Sequence, residues 1–217
     1  MVDLDATLLH TSIDHVVRYD ESDEVIRWQF NEVSDWQYTK LRPHAIEFLH
    51  EMSELFELRI CTMGESLYAR KMAALLDSSG VLFGSRIHAR DDLADRSSKS
   101  KMGHLSTLFP CGDATVVIID DREDVWDSSS NLIRVEPYRF FTRNSADDKT
   151  MFAPCFDFDD HLLHVKTLLR KVHRDYFDAL NACCIDESLP LPCTKPIVAN
   201  VTWEDSVGRR MRPSKLK

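Results

Sequence analysis

The run Val116-Val117-Ile118-Ile119, followed at once by Asp120-Asp121, constrains this chain more than any other stretch. Four consecutive β-branched residues leave no polar face, so a strand made of them is buried on both sides. That is the habit of strands in a parallel sheet covered by helices. A second apolar run, Leu58-Arg59-Ile60-Cys61, leads into Thr62-Met63-Gly64. Helical spacing fills the intervals. His44 to Phe56 repeats Phe48, Leu49, Met52, Leu55 and Phe56 behind Arg42-Pro43, and Pro43 suits a first helical turn. Ser66 to Leu76 repeats Tyr68, Met72, Leu75 and Leu76. Strand–helix–strand alternation predicts an α/β doubly wound domain with a parallel sheet.

Other segments are insertions and extensions on that frame. The β-prone runs His15-Tyr19 and Val25-Phe30 flank the solvated acidic turn Asp20-Glu24 and predict a small hairpin, joined by Trp36-Leu41. The polar stretch Asp91-Lys101 reads as a loop. Asp159 to Leu180 predicts a long amphipathic helix, with Leu162, Val165, Leu168, Leu169, Val172 and Tyr176 on one buried face. From Glu187 the prolines Pro190, Pro192 and Pro196 break the pattern, and a mobile tail carrying Arg209, Arg210, Arg212, Lys215 and Lys217 is expected. The expected division is a domain over 1–145, a helical extension over 146–186 and a Pro-containing basic tail over 187–217.

Composition removes several classes. The 217 residues are 43% hydrophobic and 29% charged, which fits a folded core and excludes fibrous and wholly disordered chains. No apolar run approaches the roughly 18 residues of a membrane span. A net charge of −9 disfavours a surface for gripping nucleic acid. Met1-Val2-Asp3-Leu4-Asp5 has neither the basic start nor the apolar core of a secretory signal. The six cysteines match no disulfide framework and no zinc pattern, and are expected to be reduced thiols in an intracellular protein. His161 and His164, nearly one turn apart, suit either a metal or a helix surface.

Asp3-Leu4-Asp5-Ala6-Thr7 carries two carboxylates two residues apart, which an extended chain points the same way. Such a pair is costly without a cation, and Mg²⁺, a hard ion, prefers oxygen ligands. Alone, the pair could equally be a solvated acidic terminus. Its company changes the reading. Thr62 follows a second strand, Lys101 (with Lys99 close by) precedes a short helix, and Asp120-Asp121 ends a third strand. In an open α/β sheet, ligands bind in the crevice at the strand C-termini. Lys101 is preferred over Lys99 by its spacing to Leu105; the other lysine is then a solvated loop charge. Arg90 suits either substrate or a surface salt bridge. Trp126 suits either the core or a platform for a substrate proline or tyrosine.

The order DxDxT, Thr, Lys, DD resembles the haloacid-dehalogenase-like superfamily of aspartate-dependent phosphotransferases. Val2-His10 (VDLDATLLH), Lys40-Pro43 (KLRP), Thr62-Gly64 (TMG), Leu108-Asp113 (LFPCGD), Ile118-Trp126 (IIDDREDVW) and Asn131-Ile133 (NLI) narrow the likeness. They are similar to the transcription factor IIF-associated phosphatases of the RNA polymerase II carboxy-terminal domain, over roughly residues 1–145. The resemblance implies a haloacid-dehalogenase-like sheet and a Mg²⁺-dependent serine/threonine phosphatase. It implies Asp3 as nucleophile, Asp5 as general acid and base, Thr62 and Lys101 as catalytic and phosphate-binding groups, and Arg90 facing substrate. It implies a Mg²⁺ site of Asp3, the backbone carbonyl of Asp5 and Asp121, with Asp120 supporting or sharing. The implied partners are the phosphorylated heptad tail of RNA polymerase II and transcription factor IIF, and the implied compartment is the nucleus; no direct contact with nucleic acid or membrane is implied.

The sequence departs from that pattern in two places. Only two residues precede Asp3, so the usual buried run of the first strand is missing; a fragment or a misjudged start is expected, with a frayed central strand. Too few residues follow the long helix for the BRCT-type module usual in the family. Two rival readings share the residues: a phosphatase of another phosphoprotein, and a catalytically inactive module that holds phosphopeptides. Neither insert, between Asp5 and Thr62 or between Thr62 and Asp120, is large enough to form a bulky lid. An open crevice suited to an extended phosphopeptide is therefore expected.

Overall fold

A computed structural model describes residues 1–13, 16–18, 24–93, 95, 97–143, 150–152 and 157–211. In chain order the elements are β1 (Leu9–Ser12), β2 (Val16–Arg18), β3 (Ile26–Trp28), β4 (Gln37–Leu41), α1 (Ala45–Ser53), β5 (Ile60–Cys61), α2 (Ser66–Leu76) and β6 (Ile87–His88). There follow α3 (Met102–Leu108), β7 (Ile118–Asp120), β8 (Leu132–Arg134), β9 (Thr142–Arg143), β10 (Thr150–Phe152), α4 (His161–Ile185) and α5 (Thr194–Met211). Short 3₁₀ turns lie at Arg90–Asp92 and Asp124–Trp126.

The parallel sheet is assembled around the first three residues. β5 pairs with β6 and β7 with β8, both in parallel, and Val2 bridges in parallel to Ile60 on one side and Ile119 on the other. The expected fraying of this central segment is not seen. Val2 N–H donates to Arg59 O at 2.8 Å, Asp3 N–H to Ile119 O at 3.0 Å, and the terminal amine to Val117 O at 2.7 Å. Burial pushes that amine down to about 6. Successive strand residues then divide between two cores, as the two-residue period requires. Val2, Ile60, Val117, Ile119 and Ile133 join α1, α2, α4 and α5 on one side. Cys61, Val116 and Ile118 join Leu105 of α3, Val125 and Trp126 on the other.

Three expectations change. The hairpin is formed by β3 and β4, with β1 antiparallel on the far edge of β4, in the order β1-β4-β3. β2 pairs in parallel with β10 instead of joining it; residues 15 and 19–23 of the expected hairpin lie outside the described residues. Second, Pro43 precedes the helix: His44, at φ 65°, caps α1. Third, 194–211 is helical and not a loose tail. Val198 and Val201 enter the main core, and Thr194 Oγ1 donates to Val116 O at 2.7 Å. The last residues, 212–217, lie outside the described residues. Among the described residues no helix is long and apolar enough to cross a membrane.

Candidate active site

Asp3 leaves the sheet one residue beyond the Val2 bridge, at the same edge as Thr62 after β5 and Asp120 at the end of β7. The chain then turns tightly. Ala6 takes φ 59°, and the Leu8 N–H returns to Leu4 O at 2.8 Å. Arg42, buried, fastens this turn. It donates to Thr7 O at 3.1 Å and grips both oxygens of Asp159, ahead of α4, at 2.9 and 3.0 Å.

Lys101 is the hub. Its Nζ donates to Asp3 Oδ1 and to Asp120 Oδ2, both at 2.6 Å, in a setting where Lys101 is 2% exposed and Asp120 is 0% exposed. Lys99 is exposed. The placement of Lys101 follows from its position at the N-terminus of α3, where its own N–H reaches Val125 O at 2.7 Å. Asp120 is held on every side: Oδ2 also accepts from Trp126 Nε1 at 2.8 Å, and Oδ1 from the Arg122 N–H at 2.8 Å. Trp126 is therefore core, and its polar tip orients a carboxylate.

Asp3, Asp120 and Asp121 bring one carboxylate oxygen each within 4.8 Å of one another. Burial and the surrounding charges explain the acidity of Asp3 and Asp121. Burial, and then the Asp120 charge, push Asp3 up to about 7 against the pull of Lys101. Burial followed by Asp120 also raises Asp121. One ammonium does not balance three carboxylates, and the deficit is what a hard divalent cation with oxygen ligands would fill.

The Asp5 carboxylate takes another direction. The Tyr68 hydroxyl donates to Asp5 Oδ1 and stands 2.9 Å from Thr11 Oγ1. Burial raises the Asp5 carboxyl, and the Tyr68 bond partly offsets that. The ring of Tyr68 lies so close to Gly64 that a Cβ there would stand 2.6 Å from Cδ1. Thr62, buried, accepts from the Gly64 N–H at 3.0 Å, which leaves its own hydroxyl proton to donate. Arg90 is on the rim, paired with Glu65 at 2.9 Å, its side chain 43% exposed. His161 Nε2 accepts from the Glu136 N–H at 3.1 Å, away from this cluster.

The structure thus gathers Asp3, Lys101, Asp120 and Asp121, sets Asp5 and Thr62 beside them, and leaves Arg90 in a surface ion pair. The sequence reading passed over Tyr68, the orienting role of Trp126, and the Arg42–Asp159 clamp. The only signal for the first two was an aromatic ring with a polar tip at a core-spaced position.

Residues 1–178 match the NLI interacting factor-like phosphatase family. The chain is 44% identical over 141 residues to a Homo sapiens RNA polymerase II C-terminal domain phosphatase, covering 65% of this chain and 14% of that protein. It is 39% identical over 187 residues to the Caenorhabditis elegans protein of the same name, covering 82% of this chain and 28% of that one. The chain therefore spans less than a third of the length of these curated relatives. The solved structure of Fcp1, an essential RNA polymerase II CTD phosphatase, superposes with a TM-score of 0.75 at 30% identity, over 91% of this chain and 68% of that one.

Proposed function

The chain belongs to the NLI interacting factor-like phosphatases, and on that premise we propose that it is a Mg²⁺-dependent phosphoprotein phosphatase acting on phosphoserine in the heptad tail of RNA polymerase II, in the nucleus. The observation that carries the reading is Lys101, buried between Asp3 and Asp120 with Asp121 alongside. Phosphoryl transfer needs positioning and charge neutralisation more than covalent assistance, and this cluster offers both.

Asp3 attacks phosphorus; the P–O bond to serine breaks and an aspartyl-phosphate forms. Asp5, its carboxyl raised by burial, gives its proton to the leaving serine oxygen. It then takes a proton from the water that hydrolyses the aspartyl-phosphate, releasing phosphate and restoring Asp3. Lys101 neutralises charge on Asp3 and the phosphoryl oxygens, and the Thr62 hydroxyl donates to one of them. Asp3, Asp121 and the Asp5 carbonyl would hold Mg²⁺, with Asp120 in support; the ion supplies charge neutralisation and orientation.

The test compares a generic aryl phosphate, a sugar phosphate and phosphorylated Tyr-Ser-Pro-Thr-Ser-Pro-Ser repeats. The heptad peptide should show the highest kcat/KM, Asp3→Asn should abolish turnover, and beryllium fluoride should inhibit. Undiminished turnover in Asp3→Asn overturns the mechanism. Preference for the sugar phosphate overturns the substrate assignment alone.

A further inference from the structure

A row of hydrogen-bonding side chains runs from the inserted sheet to Asp5. In the antiparallel register Thr11 of β1 stands opposite Thr39 of β4, and Trp28 of β3 stands opposite Gln37. Residues two apart on a strand share a face, so Thr11, Thr39 and Trp28 are on one face of this sheet. Their polar atoms meet there, against Tyr68 and Met72 of α2. Trp28 Nε1 donates to Thr39 Oγ1 at 2.9 Å, and Thr39 Oγ1 lies 2.9 Å from Thr11 Oγ1. Thr11 Oγ1 in turn lies 2.9 Å from the Tyr68 hydroxyl, which reaches Asp5 Oδ1. Thr39 is 0% and Trp28 5% exposed, so water does not compete at the inner end of the row.

Counting protons gives the row a direction. An indole N–H can only donate, and each hydroxyl has one proton to give. In the forward sense Trp28 donates to Thr39, Thr39 to Thr11, Thr11 to Tyr68 and Tyr68 to Asp5, and every proton ends on an oxygen. In the reverse sense a protonated Asp5 donates to Tyr68, Tyr68 to Thr11 and Thr11 to Thr39. The Thr39 oxygen then accepts from both Thr11 and Trp28. Among the described residues, the acceptor left for the Thr39 proton is Met72 Sδ, at 3.8 Å. A thioether is a weak acceptor, and a buried hydroxyl without a good one is costly. The forward sense is therefore favoured, and successive bonds of one sense polarise and strengthen each other.

We propose that Trp28, Thr39 and Thr11 are positioning residues that keep the proton of Asp5 on its second oxygen, Oδ2, where the leaving group can take it. The proposal rests on the reading of Asp5 as general acid. In the forward sense Asp5 Oδ1 accepts from Tyr68, and the Tyr68 oxygen already takes the Thr11 proton. Asp5 then has no acceptor at Tyr68 to which its proton could be given sideways, and the proton is held for the serine oxygen. The consequence is selective among substrates. A serine alkoxide leaves poorly without a proton, whereas 4-nitrophenolate, a stabilised anion, leaves nearly unaided. The inserted sheet thereby acts on acid catalysis through Tyr68.

The experiment compares kcat/KM, which reports formation of the aspartyl-phosphate, for a phosphoserine heptad peptide and for 4-nitrophenyl phosphate at saturating Mg²⁺. Thr39→Val nearly keeps the side-chain volume and removes both the proton and the acceptor. It should lower the peptide value about tenfold and the aryl value no more than about twofold, a part of the roughly 10²–10⁴ that a general acid supplies. Thr39→Ser, which restores the hydroxyl, should bring the peptide value back to within about twofold of the native chain. Trp28→Phe keeps an aromatic ring without the N–H and should show the same split between substrates; it decides the matter if Thr39→Val does not fold. Equal losses on the two substrates, or no loss on the peptide, overturn the proposal. Asp5→Asn is measured alongside. Peptide turnover that survives Asp5→Asn defeats the reading of Asp5 as general acid, and the proposal with it. Peptide turnover that is lost in Asp5→Asn but shows no split in Thr39→Val and Trp28→Phe defeats the proposal alone.

Discussion

Replacing Lys101 with Met keeps the length of the side chain and removes its charge. In the native chain Nζ lies 2.6 Å from a carboxylate oxygen on each side, away from solvent. The variant leaves Asp3 and Asp120 buried without their counter-charge. Breaking a buried pair in this way costs roughly 3–5 kcal/mol. The loss should depend on pH, with a sign that follows from Asp3. Its carboxyl is already raised from 3.8 to about 7, so the folded state binds more protons than the unfolded chain across that window. Stability from this group therefore falls as pH rises from about 4 to 7. Lys101 is the largest influence pulling Asp3 down; without it the folded value climbs further, and the window of loss extends upward. Urea unfolding in chelator at pH 5 and pH 8 should show the deficit growing with pH. Turnover of an aryl phosphate at saturating Mg²⁺ should fall by about 10²–10³, the usual cost of one preorganised charge-stabilising donor. Lys99→Ala, an exposed position, should change turnover by less than about twofold. Lys101→Met turnover within about threefold of the native chain, or a deficit that shrinks at high pH, refutes the reasoning.

Tyr68→Phe removes a hydrogen bond that lowers Asp5, so the pH–rate profile should move to higher pH while kcat falls by about tenfold; an unmoved profile would show that Tyr68 does not tune Asp5. Asp121→Asn should abolish the Mg²⁺-induced rise in Tm, which for a site at a hundredfold excess over Kd corresponds to about 2.7 kcal/mol in the native chain; differential scanning fluorimetry with and without Mg²⁺ reads it. Arg42→Met should destabilise by about 2–3 kcal/mol in urea, less than a fully buried pair because the Asp159 side chain is 23% exposed.

The parts of the fold that were legible are those set by local pattern. α2 has the bounds that its apolar spacing predicts, and the β-branched run before Asp120 is buried on both faces. The hairpin was not legible, because β-prone runs as short as β2 and β3 carry too little alternation to choose a partner. What chose it is distant: Trp28 Nε1 donates to Thr39 Oγ1 at 2.9 Å, and β1 occupies the other edge of β4. Prolines misled in both directions for one reason. Pro196 sits in the first turn of α5, where its missing N–H costs nothing, and Pro43 stands outside α1. In the site, acidic and basic residues announced themselves by order along the chain, but Tyr68 and Trp126 did not. An apolar period is the same whether or not an aromatic side chain ends in a hydrogen bond. Burial supplies the missing rule: a buried hydroxyl or indole N–H must find an acceptor. Near a buried DxD and DD the available acceptors are carboxylates. Tyr68 on Asp5 and Trp126 on Asp120 follow from that requirement, and they turn two side chains spaced like core residues into the supports of the acid–base and charge-balancing groups.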